Sequence, residues 1–260
     1  MPPAFRKPAC WALTLGAILA LPAAARAEAV SFRNEVMAVF SRAGCNQGGC
    51  HGNQNGKGGF KLSLRGENPA FDFESLTRDQ LGRRLDPNRT AASLVLLKAT
   101  GAVPHEGGKR FAAGSPEYRI LHHWIAAGAP ADGAKTPSVR GLKVTPANQV
   151  VAEPADSVRL KVEATFSDGT VRDVTGLAVF EASGTTASVG VDGEVVRTKL
   201  GEIAVLVRYL DQRATAEIAF VPDRPSFAWK DLPEANFIDR HVFAKLKMLQ
   251  IGRASCRERV

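Results

Sequence analysis

Gly44-Cys45-Asn46-Gln47-Gly48-Gly49-Cys50-His51-Gly52 sets two thiols ahead of a histidine, and its reading decides what the first half of this 260-residue chain folds around. Two cysteines ending in Cys-His are how a polypeptide holds haem c: the sulfurs form thioethers, and the adjacent imidazole becomes the proximal iron ligand. The usual spacing leaves two residues between the thiols, and here there are four. Gly48 and Gly49 tolerate positive φ, so the extra residues can loop out while both sulfurs face one porphyrin edge. The other reading is a short-loop disulfide between Cys45 and Cys50 with a surface histidine beside it. The motif alone leaves both open.

The ends of the chain bear on that choice. Arg6 and Lys7 precede an apolar run from Trp11 to Leu21, and Ala25-Arg26-Ala27 offers a small-x-small cleavage site. Residues 1–27 therefore read as a secretory signal peptide, too short for a membrane span, with no span expected after its removal. Export to the periplasm, the cell envelope or the medium is compatible with haem c and with a disulfide alike. At the other end, residues 251–260 break an amphipathic helix without a cap. They read as translated sequencing adapter, so the natural chain is expected to continue past Gln250. Setting aside Cys10 and Cys256 leaves two of the four cysteines, both in the motif. The leader carries three positive charges and the tail a net two, so the formal +8 falls to +3. So mild a charge points to no nucleic-acid partner.

Between these ends the periodicity changes twice. Residues 28–135 show short helical stretches: Phe32, Val36, Val39 and Phe40, and then Ile120, Leu121, Trp124 and Ile125 behind the cap Ser115-Pro116-Glu117. Long glycine-rich loops separate them, with too few apolar residues for a core unless a cofactor adds apolar mass. Residues 130–137 read as a polar linker. Across residues 139–222 the period becomes two, as in Val158, Leu160, Val162, Ala164 and Phe166, with turn signals at Ser167-Asp168-Gly169 and Asp192-Gly193. Residues 232–250 return to a helical stripe. The expected fold class is multidomain α plus β, an all-α cytochrome c-like domain followed by an all-β Ig-like sandwich.

Three segments carry a family resemblance: Lys57-Gly58-Gly59-Phe60-Lys61-Leu62-Ser63-Leu64-Arg65-Gly66, Val103-Pro104-His105-Glu106-Gly107-Gly108-Lys109-Arg110-Phe111, and Trp124-Ile125-Ala126-Ala127-Gly128-Ala129. With the cysteine motif they resemble the large secreted planctomycete-type cytochrome proteins. Phe166-Ser167-Asp168-Gly169-Thr170 and Asp173-Val174-Thr175 resemble the bacterial Ig-like (group 2) domain of that family. Asn236-Phe237-Ile238-Asp239-Arg240-His241-Val242 resembles the opening of its first region of unknown function. The resemblance covers nearly all of residues 30–250, and four residues between the cysteines belong to the family's own pattern. It implies covalent haem c on Cys45, Cys50 and His51, and an unidentified redox partner.

For the second axial position, related cytochrome domains place a methionine before proline ahead of the last helix. Here Val103, Pro104 and His105 occupy that place, and His105 is the distal candidate. Met37 reads as core, and Met248 lies in the last helix. His122 and His123 flank the buried stripe of their helix. Lys109 and Arg110 are candidates for pairing with haem propionates. The leading expectation is an exported single-electron carrier whose Ig-like module acts as a spacer or contacts carbohydrate or an envelope protein. The alternatives are the electron-supplying part of a larger secreted enzyme, such as one degrading polysaccharide, and a haem-free envelope or adhesion protein pinned by a Cys45–Cys50 disulfide.

Overall fold

The computed structural model of the chain describes residues 29–231 and 233–252. The signal-peptide reading and nearly all of the adapter reading fall outside them. Within them the chain opens with a helix. Ser31 caps it by accepting the Asn34 N–H at 3.1 Å, while its own N–H donates to Glu35 at 2.8 Å. A wide π-type turn, Phe32–Val36, runs straight into α1 (Met37–Arg42). Gly44, at φ +74°, ends the helix, and the Cys45 N–H reaches back to the Phe40 carbonyl at 2.8 Å. This left-handed stop delivers the cysteine loop directly from the helix end.

Three further short helices follow: α2 (Pro69–Thr77), α3 (Leu94–Thr100) and α4 (Pro116–Ala126). Leu62, Leu76, Leu96, Leu121, Trp124 and Ile125 pack with Phe32, Val36 and Phe40 into one apolar cluster. The β region contributes ten strands. Its first sheet pairs β1 (Val139–Thr145), β4 (Lys161–Phe166) and β5 (Val171–Asp173); its second pairs β2 (Asn148–Ala152), β10 (Gln212–Val221), β9 (Gly201–Tyr209) and β6 (Val179–Ala182). The third pairs β3 (Ser157–Arg159), β8 (Glu194–Arg197) and β7 (Ala187–Val189). All three sheets share one core, including Leu160, Val162, Val205, Val207, Ile218 and Phe220. Pairing is antiparallel except for β2 on β10, which is parallel from Asn148 beside Glu217 to Ala152 beside Val221. A last helix, α5 (Phe237–Met248), buries none of its residues.

The expected fold class is therefore corrected. No all-α cytochrome c-like domain is evident among the described residues. The longest of α1 to α4 has 11 residues, and turns and loops fill most of the chain between them. Glycines at positive φ, at 56, 58, 59, 66, 101, 108 and 114, hold this backbone in tight turns that no helix continues through. In place of an isolated helical domain ahead of a sandwich stands a loop-rich unit joined to three small sheets.

The joint is built from buried polar contacts. The Tyr209 hydroxyl on β9 donates to the Asn34 carbonyl at 2.7 Å, and the Asn34 amide donates to the Pro137 carbonyl at 2.9 Å. Arg42 donates to Glu117 at 3.0 Å and to the carbonyls of Ala178 (3.1 Å) and Val191 (2.6 Å). Ala38 packs into the β core, while Leu177 and Leu210 of the β region pack onto the helical one. Tyr209→Phe removes this buried hydrogen bond, and should lower unfolding stability by about 1 kcal/mol in a urea titration of the full chain.

Candidate functional site

The cysteine loop is held by its own backbone. Cys50 and Gly52 donate to the Gln47 carbonyl, and His51 donates to the Cys45 carbonyl at 2.9 Å. A Cβ on Gly52 would sit 2.0 Å from the Asn46 carbonyl oxygen, so only glycine closes this turn. Cys45 and Cys50 are free thiols, and both line a cavity of about 460 Å³. That volume lies within the range of small-molecule and cofactor sites. Phe40, Phe60, Val95 and Phe111 supply apolar wall.

His51 and His105 line the same cavity, although 54 positions separate them in the chain. Their rings lie nearly parallel, 8° between planes, with centroids 6.2 Å apart. His51 Nδ1 is 3.0 Å from the Phe60 carbonyl oxygen, and His105 Nδ1 is 2.9 Å from that of Gly108. A carbonyl only accepts, so each Nδ1 carries a proton, and in the neutral ring that leaves the lone pair on Nε2. Burial holds the His51 pKa below the usual imidazole range; the Phe60 carbonyl opposes this, and His105 adds to it. The neutral form is the one that ligates metal.

Two tight turns position these rings. Lys57 and Phe60 exchange backbone hydrogen bonds of 2.9 and 3.0 Å, which aims the Phe60 carbonyl at His51. Gly108 donates to the His105 carbonyl at 2.9 Å, closing the second turn, which Arg110 braces by donating to the Gly107 carbonyl at 3.0 Å. Lys57 and Glu106 then bridge the two turns at 3.0 Å.

Among the described residues no three His, Cys, Asp or Glu side chains gather closely enough to hold a bare metal ion. The donors instead spread around a cavity wall. Two thiols and two imidazoles around one cavity are groups that would hold a haem through thioethers and iron–nitrogen bonds.

The structure brings together Cys45, Cys50, His51 and His105 as the sequence proposes, and adds Arg110 to the wall. Lys109 is exposed and does not line the cavity, nor do His122 and His123, the former stacking on Tyr118 at 5.7 Å. Met37 is core, 1% exposed. Sequence reasoning missed Arg84, which is 4% exposed and lies over the Phe60 ring at 4.6 Å. It donates to the carbonyls of Ser75, Asp79 and Gly59. Its neighbour Arg83 and its own place in a polar stretch read as an ordinary exposed basic pair, so no periodic signal marks it.

No family model and no curated protein matches the chain. Eleven chains of solved structures match it, among them surface layer protein SbsC, domains 1-6. That match has 17% identity and a TM-score of 0.29, over 35% of this chain and 14% of that one. A likeness so slight carries no argument. No helix among the described residues is long and apolar enough to cross a membrane.

Burial raises the Cys45 thiol from 9.0 to about 12, with Arg110 opposing. The thiolate is the nucleophile, so at pH 8 iodoacetamide should modify Cys45 about a thousandfold more slowly in the cofactor-free folded chain than in the urea-unfolded one. Peptide mass spectrometry over a time course measures both rates.

Proposed function

We propose that the chain attaches haem c through Cys45 and Cys50, ligates its iron with His51 and His105, and carries single electrons after export. The observation that carries this reading is that Cys45, Cys50 and the parallel His51–His105 pair line one cavity, each histidine Nδ1 being held by a backbone carbonyl. When bound, haem c supplies a one-electron iron couple. Around it Phe40, Phe60 and Phe111 would exclude water, and Arg84 and Arg110 would offer positive charge to its carboxylates. With His51 and His105 both holding the iron, the group would favour electron transfer over binding of small ligands, at a lower potential than with a His/Met pair.

This reading does not need an all-α cytochrome fold, because the fittings are two nitrogens, two thiols and a cavity. It agrees with the resemblance to the secreted planctomycete-type cytochrome proteins and with the export signal read in residues 1–27. The β region then serves as a rigid mount for the haem-bearing unit, since Tyr209 and the loops accepting from Arg42 clamp the helix that leads into the cysteine loop.

Co-expression of the full chain with a haem c maturation system tests the reading. The expected product shows one added haem mass that survives denaturation, and a pyridine haemochrome band typical of two thioethers. Replacing Cys45 and Cys50 by Ala should abolish the covalent mass. His105→Ala should keep the mass and convert a six-coordinate low-spin spectrum into a five-coordinate or water-ligated one. An unmodified polypeptide from the matured preparation refutes haem attachment, and an unchanged spectrum in His105→Ala refutes the distal assignment.

A further inference from the structure

We propose that Arg65, Arg208 and Arg213 bind a free tetrahedral dianion, sulfate or hydrogenphosphate, which staples the loop-rich unit to the second sheet. None of the three lines the cysteine cavity, so the site stands apart from the haem reading. Along β9, Val205, Val207 and Tyr209 enter the β core, which sets Arg208 on the opposite face of the sheet. Even there it is 3% exposed. Its Nη1 is buried without a hydrogen-bond partner among the described residues. Its Nη2 lies 3.6 Å from the carboxylate of Glu181 on β6, beyond hydrogen-bond reach. A buried guanidinium so poorly matched is costly unless a further anion completes its shell.

Two more arginines widen the imbalance. Strand pairing puts Arg213 of β10 directly opposite Arg208, and like charges facing each other across strands destabilise a sheet. Arg65 comes from the loop-rich unit, in the short turn at residues 64–66. Burial opposes the charge on Arg208 most, Glu181 favours it, and the charges of Arg65 and Arg213 both work against it. Three cations around the Glu181 carboxylate leave two positive charges in excess. A dianion matches that excess, and its oxygens accept from several guanidinium forks at once.

The way in passes Glu181, whose side chain is 45% exposed. When that side chain turns to solvent, an oxoanion takes its place, spans Nη2 and Nη1, and gives the orphaned nitrogen its partner. Arg65 and Arg213 are exposed on long side chains, so they close over the ion. Arg65 belongs to one unit and the other two arginines to the sheet. Occupancy therefore ties the units together and adds stability by mass action.

Urea unfolding of the full chain in a chloride buffer of constant ionic strength, followed by tryptophan fluorescence, tests the site. Sulfate, and separately phosphate at pH 8, should raise the unfolding midpoint saturably below about 10 mM, where general exclusion of salt from the protein surface is small. Methyl sulfate keeps the tetrahedron but carries one charge, as a sulfate ester does, and should need about tenfold more for the same rise. Arg213→Gln, at an exposed position, should raise the half-saturating sulfate concentration about tenfold. Arg208→Met should abolish the response. Arg159→Gln, an exposed arginine of β3, should leave it intact. A wild-type chain with no saturable response overturns the proposal. So does a response undiminished in Arg213→Gln, which decides the matter alone if Arg208→Met does not fold. Methyl sulfate acting as strongly as sulfate overturns the assignment to a free dianion.

Discussion

Eight of the eleven residues of the helix over 32–42 are buried, and the position of the cysteine loop after it depends on that burial. Phe32, Asn34, Val36, Met37, Ala38, Val39, Phe40 and Ser41 are all at most 4% exposed. A helix with one apolar stripe has a whole face left for water; here only Arg33, Glu35 and Arg42 reach it in part. Its Phe32, Val36 and Phe40 face one cluster, its Ala38 enters the core of the β region, and its polar Asn34 and Arg42 carry hydrogen bonds into the same region. Because the cysteine loop begins two residues after the helix ends, the sulfurs are placed by the sum of these contacts. Burying each apolar side chain contributes about 1.5–3 kcal/mol, which makes this helix the best-anchored point in the chain.

From that anchor the site is tuned by backbone rather than by side chains. Carbonyl oxygens of Phe60 and Gly108 set the tautomers of the two histidines. Other carbonyls hold the guanidinium groups of Arg84 and Arg110. A carbonyl fixes a donor without cancelling its charge, so the arrangement sets the tautomers of the imidazoles and keeps the positive character of the wall. Carboxylates in those places would protonate, repel a cofactor's acids, or compete for metal. Glycine-rich turns are the backbone that allows so many carbonyls to converge, and this is the physical meaning of a composition that looks like loop.

Much of the chemistry was legible from the order of residues. Cys45, Cys50 and His51 are adjacent, so their proximity needs no tertiary structure, and the Ser115-Pro116-Glu117 start of α4 is written in capping chemistry. The period-two runs marked strands from Val139 onward. His105 was found through resemblance and the absence of a better methionine, and its pairing with His51 became visible only in three dimensions. The all-α expectation failed because the helical runs are too short and the glycines between them too many; periodicity locates a helix but does not say how much of a domain it makes. Arg84 was invisible for a different reason. Its burial depends on three carbonyls from residues 59, 75 and 79, and no pattern around position 84 records where those carbonyls go. The parallel pairing of β2 with β10 likewise depends on a long return of the chain that alternation does not encode.

Residues 130–137 look like a joint between two separable modules, polar and rich in small side chains. In the fold they are a seam sewn shut: the Pro130 carbonyl accepts from the Trp124 indole, Asp132 receives the Arg33 backbone N–H, and the carbonyls of Thr136 and Pro137 take bonds from Arg33 and Asn34. A protease has little slack to grip there. Nor can the halves be recombined freely with foreign neighbours during evolution, because a new β partner would have to bring a tyrosine hydroxyl to the same depth against the first helix. Each part is therefore shaped to the other.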